Sequence, residues 1–376
     1  MRTPLSVVIG AGGTGGHIYP GLAIADALRR AAPDAVISFV GTTRGLEGEL
    51  IPAAGYRLHT VDMIPFDPAL GAKRYLLPAA LLRSGAQVRS ILRGQGAQVA
   101  VGMGGYPSAP VILGARMAGL PSLIHESNAV PGRANQFAAR LTPHIAVAFD
   151  TGHLHGAVTT GMPIAASLAA LDRDALRPAA RRAFDVPEGR RLVLFNGGSL
   201  GARRLTEAAL GLADRWRHRP DVHLLIKTGP AALDDTRRAL AGNPVARAVP
   251  YLDRMDLAYA AADLVVCRAG SATVAELATT GVPAVLVPYP HAPGDHQTHN
   301  ARVLTDAGAG LLLPDVETTA DRLAALVEPL LADPARLASM SGAAAPGPHA
   351  YAADLLAERV LDLATRTTPH TKEYAA

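Results

Sequence analysis

Short apolar runs alternate along the chain with longer segments whose apolar residues recur every three or four positions. The first run, Leu5–Ile9, is rich in β-branched residues and has the length of a buried parallel strand. The segment after it has the spacing of an amphipathic helix. Its apolar face consists of Leu22, Ala23, Ala27 and Leu28. This alternation predicts an α/β fold in which helices cover both faces of a parallel sheet.

The same alternation continues through both halves of the chain. The predicted strands of the first half are Leu5–Ile9, Ala35–Val40, Tyr56–Val61, Gln98–Gly102, Ser122–His125 and Ile145–Phe149. Those of the second half are Leu192–Phe195, His223–Lys227, Ala248–Tyr251, Leu264–Cys267, Ala284–Pro288 and Gly310–Leu313. Each half opens with a strand followed by a glycine-rich turn, which predicts two doubly wound domains with a ligand between them.

The length of 376 residues fits two domains of ordinary size. We place the first domain at residues 1–162 and the second at 163–345, with residues 168–189 as a charged linker and helix. Residues 346–376 are predicted to form a C-terminal helix that packs back on the first domain and ends in a disordered tail.

Composition narrows the functional classes. The formal charge of +4 suits a phosphate-rich ligand or an anionic membrane surface, but no basic run is long enough to indicate nucleic acid binding. Cys267 is the single cysteine, so neither an internal disulfide nor a cysteine metal site is expected. No apolar stretch reaches the roughly 18 residues of a membrane span, and no secretory signal is recognisable. We therefore expect a cytoplasmic protein.

The first glycine-rich turn, Gly10–Gly15, matches the dinucleotide-binding pattern G-x-G-x-x-G. Pro20 is predicted to mark the beginning of the following helix, with His17 just before it. Such a turn exposes backbone amides at a helix N-terminus, where anions or oxygen-rich groups bind. A dinucleotide site also needs an acidic residue at the end of the second strand. Asp34 precedes that strand and Glu47 follows too late, which disfavours a nicotinamide or flavin cofactor.

Two further polar turns follow strands of the first half. Residues 104–108 form a second glycine-rich turn, and residues 126–128 follow the next strand. Because the carboxyl ends of parallel strands share one edge of a sheet, we expect both turns to converge on residues 12–17. Glu126 and Asn128 could either contact a ligand or cap the helix after Pro131.

The second half contains a matching site at residues 267–276. A strand ends there, Gly270 turns the chain, and the first-turn amides and the Thr273 hydroxyl could bind a diphosphate. Glu276 could accept two ribose hydroxyls or be an ordinary helix-surface glutamate. His296 and His299 share a helix face but lack a third metal ligand, so recognition of sugar hydroxyls by residues 295–297 fits better.

Two other segments allow more than one interpretation. Residues 67–94 carry leucines together with Lys73, Arg74, Arg83, Arg89 and Arg93. They form either an amphipathic helix packed on the sheet or a basic, apolar surface that rests on anionic lipid. The residues at 172–174 match the D-x-D pattern of metal-dependent sugar transferases, but they lie in the predicted linker helix and not at a strand end.

The motifs GGTGGHIYPGLAIA, GMGGYPSAP, HESNAVPGRANQ, NGGSLGAR and CRAGSATVAELATTGVPAVLVPYP occur in this order, with DHQTHNA after them. Together they resemble the MurG family of peptidoglycan glycosyltransferases from about Leu5 to Ala301. The resemblance implies an α/β fold of the GT-B type with two Rossmann-like domains and inversion at the anomeric carbon. It also implies transfer of N-acetylglucosamine from its UDP donor to the 4-hydroxyl of undecaprenyl-pyrophosphoryl-MurNAc-pentapeptide. No cofactor or metal is implied, and the enzyme would act peripherally at the cytoplasmic side of the membrane.

The resemblance also implies roles for single residues. His17 is the candidate catalytic base. The donor-binding residues would be Thr14, Gly15, Gly16, Asn128, Ser199, Tyr251, Leu252, Ser271, Ala272, Thr273, Val274, Ala275, Glu276 and Gln297. The acceptor-side residues would be Gly104, Gly105, Tyr106 and Glu126.

One motif departs from the family. Where the family usually reads T-G-N-P-V-R, this chain reads Thr160-Gly161-Met162-Pro163-Ile164-Ala165, so the donor-site arginine is absent. We expect Arg133 or Arg268 to compensate, or else a different sugar or acceptor. The alternatives are a UDP-sugar 2-epimerase, a MurG-like transferase of a secondary pathway, and a non-catalytic UDP-sugar-binding membrane protein.

Overall fold

The computed structural model describes residues 4–43, 45–63, 75–199 and 201–367. The described chain divides into two compact units. Unit 1 contains the residues up to Ala165 and those from Tyr351 onward, and unit 2 contains Ala166–Ala350. Arg44, Leu200, residues 67–74 of the basic segment and the predicted tail at 368–376 lie outside the described residues.

Unit 1 is built on a parallel sheet of seven strands in the order β3-β2-β1-β4-β5-β6-β7. Its strands are β1 (Ser6–Gly10), β2 (Val36–Gly41), β3 (Arg57–Thr60), β4 (Val99–Gly102), β5 (Ser122–Glu126), β6 (His144–Val147) and β7 (Val158–Thr159). The strand order reverses between β1 and β4, whose carboxyl ends lead into the two glycine-rich turns. A reversal of this kind opens a crevice at the sheet edge, where α/β proteins bind ligands.

The helices of unit 1 cover both faces of this sheet. They are α1 (Gly15–Ala31), α2 (Glu47–Ala53), α3 (Leu77–Gly94), α4 (Ser108–Ala118), α5 (Arg133–Ala138) and α15 (Ala352–Thr367). Helix α15 packs on α1, and its Leu356 and Val360 are fully buried in the same core as Ile24 and Leu28.

Unit 2 repeats the plan with six parallel strands in the order β10-β9-β8-β11-β12-β13. Its strands are β8 (Arg191–Asn196), β9 (Val222–Lys227), β10 (Ala246–Val249), β11 (Leu264–Cys267), β12 (Ala284–Leu286) and β13 (Gly310–Leu312). Its helices are α6 (Ala166–Ala169), α7 (Arg173–Ala183), α8 (Arg203–Arg215), α9 (Leu233–Ala239), α10 (Met255–Ala261), α11 (Ser271–Thr280), α12 (His296–Thr305), α13 (Ala320–Ala332) and α14 (Pro334–Ala343). The order reverses between β8 and β11, which again places two glycine-containing turns side by side.

The predicted strands are confirmed, with shifts of a few residues at their ends. Strand β10 is shifted by two residues at both ends and runs from Ala246 to Val249, not from Ala248 to Tyr251. Strand β7 was not predicted, because two exposed residues at the sheet edge carry no apolar pattern. The predicted start of α1 at Pro20 is wrong: the helix begins at Gly15. Proline removes only its own amide from the hydrogen-bond ladder, and this helix tolerates that loss one turn in.

Of the linker and helix predicted at residues 168–189, the helix is confirmed as α7, but the linker is wrong. Helix α7 packs on α10 within unit 2. Its arginines contact the residues just before β11 and β12. The Arg173 guanidinium donates to the carbonyls of Gly281 and Ala262, and Arg177 pairs with Asp263 at 2.8 Å. Asp172 caps α7 by accepting from the Ala175 amide at 3.0 Å, which gives this residue a structural role.

Candidate active site

The first glycine-rich turn leads from β1 directly into the first turn of α1. Thr14 has the extended backbone of an N-cap residue, and Gly13 has φ +87°, a conformation that favours glycine. His17 therefore lies in the first turn of α1, where the Thr14 hydroxyl is 3.4 Å from its Nδ1. The helix thus fixes the backbone of the candidate base.

The Glu47 carboxylate stabilises this turn by hydrogen bonding. It is fully buried at the start of α2, and its carboxylate accepts from the Gly13 amide at 3.0 Å and from the Thr42 hydroxyl at 2.6 Å. The Thr42 amide donates to the same carboxylate at 3.1 Å. Burial raises the pKa of Glu47, but these hydrogen bonds outweigh it and the pKa lies below its usual value. The sequence indicates that Glu47 comes too late to be the ribose acid of a dinucleotide site, and its contact with the Gly13 amide is a role that was not predicted.

The second glycine-rich turn packs against His17. A Cβ added at Gly104 would lie 2.9 Å from His17 Cδ2, and one added at Gly105 would lie 3.1 Å from Nδ1 and 2.6 Å from the Gly12 carbonyl. Both glycines have positive φ, +85° and +70°. Tyr106 follows them with its ring 41% exposed. The predicted convergence of residues 104–108 on residues 12–17 is confirmed.

Glu126 organises the third polar turn. Its buried carboxylate accepts from the amides of Asn128 and Gly132 at 2.8 and 3.0 Å and from Asn135 Nδ2 at 2.9 Å. Burial is the largest influence and raises its pKa. Asn135 Nδ2 would also lie 3.4 Å from a Cβ on Gly104, so this network adjoins the second turn. The arrangement gives Glu126 a loop-positioning role in unit 1.

Residues 160–165, where the motif departs from the family, are hydrogen-bonded to β5. His125 Nε2 donates to the Gly161 carbonyl at 2.8 Å, Met162 is fully buried and Ala165 is exposed. Arg133 is exposed on α5. Arg268 pairs with Asp315 at 2.7 Å and also donates to two backbone carbonyls. Arg268 is therefore engaged within unit 2, which argues against the predicted compensation by this residue.

In unit 2, the N-terminus of α11 faces open space. A Cβ added at its N-cap, Gly270, would meet nothing within 4 Å. Asn300 fastens the turn from α12 by donating to the Ala269 carbonyl at 3.2 Å. Thr273 is partly exposed in the first turn, whereas Ser271 is buried. Exposed first-turn amides with the positive end of the helix dipole suit an anionic group.

Glu276 lies one turn further along α11. Its Oε2 accepts from the buried Tyr259 hydroxyl at 2.9 Å. Burial raises the pKa of Glu276 to about 7, although the Tyr259 hydrogen bond and the positive charge of Lys227 both lower it. The residue as a whole is partly exposed, and its carboxylate lies one turn from the helix N-terminus.

Tyr251 and Lys227 form the neighbouring wall. The Tyr251 ring is 38% exposed, and the Lys227 ammonium lies 4.9 Å from its centre. Lys227 Nζ also donates to Asn196 Oδ1 at 3.4 Å, and the same oxygen accepts from the Gly198 amide at 3.0 Å. The glycine turn after β8, which includes the partly exposed Ser199, is thus linked to Tyr251 through one buried lysine.

The other predicted donor-binding residues differ in exposure. Gln297 is partly exposed, and its Oε1 accepts from the Tyr289 amide at 2.9 Å. Thr14 is exposed, and Gly16, Asn128 and Ala272 are partly exposed. The residues that could offer a ligand only their backbone atoms are Gly15, Leu252, Val274 and Ala275.

Within the described ranges, no group of three or more His, Cys, Asp or Glu side chains could hold a metal ion. His296 Nδ1 donates to the Pro293 carbonyl at 2.9 Å, and the D-x-D residues belong to the cap of α7.

Four contributors were missed by sequence reasoning: Glu47, Asn135, Lys227 and Tyr259. Asn135 lies in a quoted motif but was given no role, whereas Glu47, Lys227 and Tyr259 lie outside the quoted motifs. The one available signal was Lys227 at the end of an apolar strand, because a lysine is rarely buried without a partner.

Two family descriptions match the chain. The Glycosyltransferase family 28 N-terminal domain matches residues 7–147, and the C-terminal domain of the same family matches residues 192–357. Each match contains one of the two glycine-rich sites described above. The fold and sites therefore define a two-domain glycosyltransferase.

Relatives extend this match over nearly the full length. A protein of Saccharopolyspora erythraea is 44% identical over 365 residues, which cover 97% of this chain and 96% of that protein. One of Streptomyces avermitilis is 42% identical over 358 residues, 95% of this chain and 98% of that protein. Both are named UDP-N-acetylglucosamine–N-acetylmuramyl-(pentapeptide) pyrophosphoryl-undecaprenol N-acetylglucosamine transferase. The chain belongs to the MurG family within glycosyltransferase family 28.

Solved structures agree with this assignment. MurG of Acinetobacter baumannii superposes with a TM-score of 0.76 at 27% identity, over 96% of this chain and 100% of that one. A putative UDP-N-acetylglucosamine 2-epimerase from Listeria monocytogenes gives 0.67 at 14% identity, over 94% and 95%, and shows the shared fold alone. The GT-B fold and the family resemblance expected from the sequence are confirmed.

Proposed function

We propose that this chain transfers N-acetylglucosamine from its UDP donor to the 4-hydroxyl of undecaprenyl-pyrophosphoryl-MurNAc-pentapeptide. The observation that carries the proposal is the 44% identity over 97% of the chain to a relative named for this reaction. The donor and acceptor sites are assigned to units 2 and 1, each of which has a glycine-rich site at a reversal of strand order.

The donor assignment rests on the helix N-terminus in unit 2. The open amides at Gly270–Thr273 suit a diphosphate, and the Glu276 carboxylate one turn away suits the two ribose hydroxyls. The partly exposed Tyr251 ring offers a flat surface for the uracil. Leu252 would pair with the base through its backbone, and Gln297 would contact the sugar.

The acceptor assignment rests on His17. It lies where the first and second turns of unit 1 meet, with Tyr106 and the Glu126 loop next to them. We assign His17 as the general base and Gly104, Gly105 and Tyr106 as acceptor-side residues. Thr14, Gly15, Gly16 and Asn128 would complete the contacts from this unit.

The proposed mechanism is direct displacement with inversion. The acceptor 4-hydroxyl loses its proton toward His17 as its oxygen forms a bond to C1 of the sugar. The bond from C1 to the diphosphate oxygen breaks, and UDP leaves with that electron pair. Its developing charge is stabilised by the preorganised amides at the start of α11.

A radiolabelled transfer assay tests the proposal with a short-chain lipid acceptor and a panel of UDP-sugars. UDP-N-acetylglucosamine should be the fastest donor, and UDP release should depend on the acceptor. A faster second sugar would indicate a transferase of another pathway, and conversion of the donor alone would indicate a 2-epimerase. Binding of UDP-N-acetylglucosamine without any UDP release would indicate a sensor or scaffold. Each of these three outcomes contradicts the proposal.

The ribose contact has its own test. Glu276→Ala should weaken UDP binding by about 1.5–3 kcal/mol, the range for hydrogen bonds to a charged group. The variant should also discriminate less than the parent against 2′-deoxy-UDP. Equal losses for both nucleotides, measured by calorimetry, would place Glu276 away from the ribose.

We also propose that the protein acts peripherally at the cytoplasmic face of an anionic membrane. Among the residues that the structure describes, no helix is long and apolar enough to cross a bilayer. One side of α3 packs on α4 through Gly85 and Val88, whereas Leu76 and Leu82 are 59% and 58% exposed beside the exposed Arg83. Exposed apolar residues next to arginines favour contact with anionic lipid.

Vesicle sedimentation tests this surface. Arg83→Glu combined with Leu82→Ser should reduce binding to anionic vesicles, by about 1 kcal/mol for the arginine. Turnover of a water-soluble acceptor should persist. If vesicle binding changes neither with these substitutions nor with the salt concentration, α3 is only a packed helix. Lys73 and Arg74, also predicted to contribute, lie outside the described residues.

A further inference from the structure

The Lys227 ammonium at the end of β9 is enclosed within unit 2. The residue is 6% exposed, and burial lowers its pKa. Its Nζ donates to Asn196 Oδ1 and lies under the Tyr251 ring. A lysine buried without a direct ion pair costs free energy. The transfer chemistry described above does not use it, so its position calls for another explanation.

The Glu276 carboxylate is the anion that attracts this ammonium. The attraction raises the pKa of Lys227 and lowers that of Glu276. Tyr259, on α10, donates to the same carboxylate at 2.9 Å. The Tyr259 hydroxyl also interacts with the Asn196 side chain, which accepts from Lys227 Nζ, so a cluster of polar side chains runs from Lys227 below the Tyr251 ring to the Glu276 carboxylate.

The other elements packed against α11 bring few charges to Glu276. Strand β11 contributes the buried Cys267 thiol, whose pKa is raised by burial and by the Glu276 charge. Helix α6 has no ionisable side chain. Helix α12 carries His296, His299 and Arg302, but none of them shifts the pKa of Glu276. Lys227 is therefore the cation that acts on this carboxylate.

We propose that Lys227 is a positioning residue of the nucleoside site, where its ammonium supports the Tyr251 ring and, through the side-chain cluster of Asn196 and Tyr259, holds the Glu276 carboxylate ready to accept both ribose hydroxyls of a uridine nucleotide. The inference rests on the proposed function, because it takes Glu276 as the ribose acceptor. An ionised carboxylate only accepts hydrogen bonds, whereas a protonated one presents a donor to the ribose. UDP affinity should therefore fall as the pH drops through the pKa of Glu276.

Calorimetric titration with UDP from about pH 5.5 to 8.5 tests this inference. Below about pH 7 the parent should lose UDP affinity relative to Glu276→Gln. This variant lacks the Glu276 titration but still reports the titration of the UDP diphosphate, so it serves as the baseline. Lys227→Met should move this midpoint upward by about one pH unit, because it removes the attraction that favours the carboxylate. At pH 7 the same variant should bind UDP about fivefold to tenfold more weakly.

Two further variants separate charge from packing. Lys227→Gln removes the charge but keeps a donor for Asn196, so it should move the midpoint as Lys227→Met does and can replace that variant if it fails to fold. Tyr259→Phe should also raise the midpoint, because it removes the hydrogen bond to the carboxylate. The matched control is Arg237→Met, which removes an exposed positive charge from α9 and should leave the midpoint unchanged.

If Lys227→Met weakens UDP binding by the same factor at every pH, Lys227 only supports packing. This result would overturn the inference. An NMR titration of the Glu276 carboxyl carbon in the unliganded protein gives a second readout. A midpoint that is the same in the parent and in Lys227→Met would overturn it as well. If parent and Glu276→Gln bind UDP identically at all pH values, the ribose contact is wrong and the inference falls with it. The transfer assay judges the proposed reaction separately.

Discussion

The two glycine-rich sites occupy equivalent places in their sheets, but they offer a ligand different surfaces. In unit 1, the Gly13 amide already donates to the buried Glu47 carboxylate, and the neighbouring space is filled by His17 and by residues 104–106. In unit 2, the space in front of Gly270 is open, and the acidic residue of α11, Glu276, lies a full turn further along the helix.

The same strand-turn-helix plan thus creates two different chemical environments. A turn whose amide is held by a carboxylate is poorly suited to phosphate, but it fixes the position of a side chain such as His17. An open helix N-terminus is suited to the charge of a leaving diphosphate. The glycine pattern alone does not distinguish the two, because the deciding residue, Glu47, lies on another helix.

The largest expected effect concerns His17. His17→Ala should lower kcat by about 10²–10⁴-fold, the usual contribution of a general base, while UDP affinity changes little. Steady-state kinetics and calorimetry measure the two quantities. His155→Ala, an exposed histidine of the same unit, is the matched control. An unchanged kcat at saturating substrates would remove His17 from the mechanism and remove the functional contrast between the turns.

The two carboxylates should respond to pH in opposite directions. The folded-state pKa of Glu276 is raised to about 7, so its stabilisation is present below about pH 4.5 and is lost as the pH rises through 7. The folded-state pKa of Glu47 is lowered, so its stabilisation is present above about pH 4.5 and is lost as the pH falls through the folded value. For Glu276 the change should be on the order of 3 kcal/mol.

Urea unfolding of the parent, Glu47→Gln and Glu276→Gln across this pH range measures both trends. The difference in unfolding free energy between parent and variant isolates each group from the other titrations of the protein. Glu49→Gln, on the same helix as Glu47 but exposed, should show no such trend. If the unfolding free energy attributable to Glu47 and to Glu276 changed with pH in the same direction, the contrast between the two carboxylates would be wrong.

The smallest expected effect concerns Gly270. Gly270→Val should weaken UDP about tenfold, because a side chain would occupy the open space before the amides. Unfolding free energy should fall by no more than about 1 kcal/mol, the cost of an unfavourable N-cap residue. Gly342→Val, on the exposed side of α14, should leave UDP binding unchanged. Unaltered UDP affinity in Gly270→Val would show that the diphosphate binds elsewhere.

Much of the fold was predictable because parallel strands buried on both faces leave uninterrupted apolar runs, as in Leu5–Ile9. Strand β7 and the start of α1 were not, because an exposed edge pair and a proline one turn into a helix follow tertiary context more than local preference. The glycine turns of the candidate site were visible as motifs. The roles of Glu47 and Lys227 were hidden, since each depends on contacts with residues far away in the sequence.

The return of α15 to unit 1 has a consequence for the order in which the protein is made. Unit 2 is one continuous segment and can fold as soon as the ribosome has released it. Unit 1 must wait, because Leu356 and Val360 fill its core beside Ile24 and Leu28. A nascent chain stopped before Ala352 would carry a complete unit 2 and an apolar surface still uncovered on unit 1. The core of unit 1 can therefore close completely only after α15 has been made.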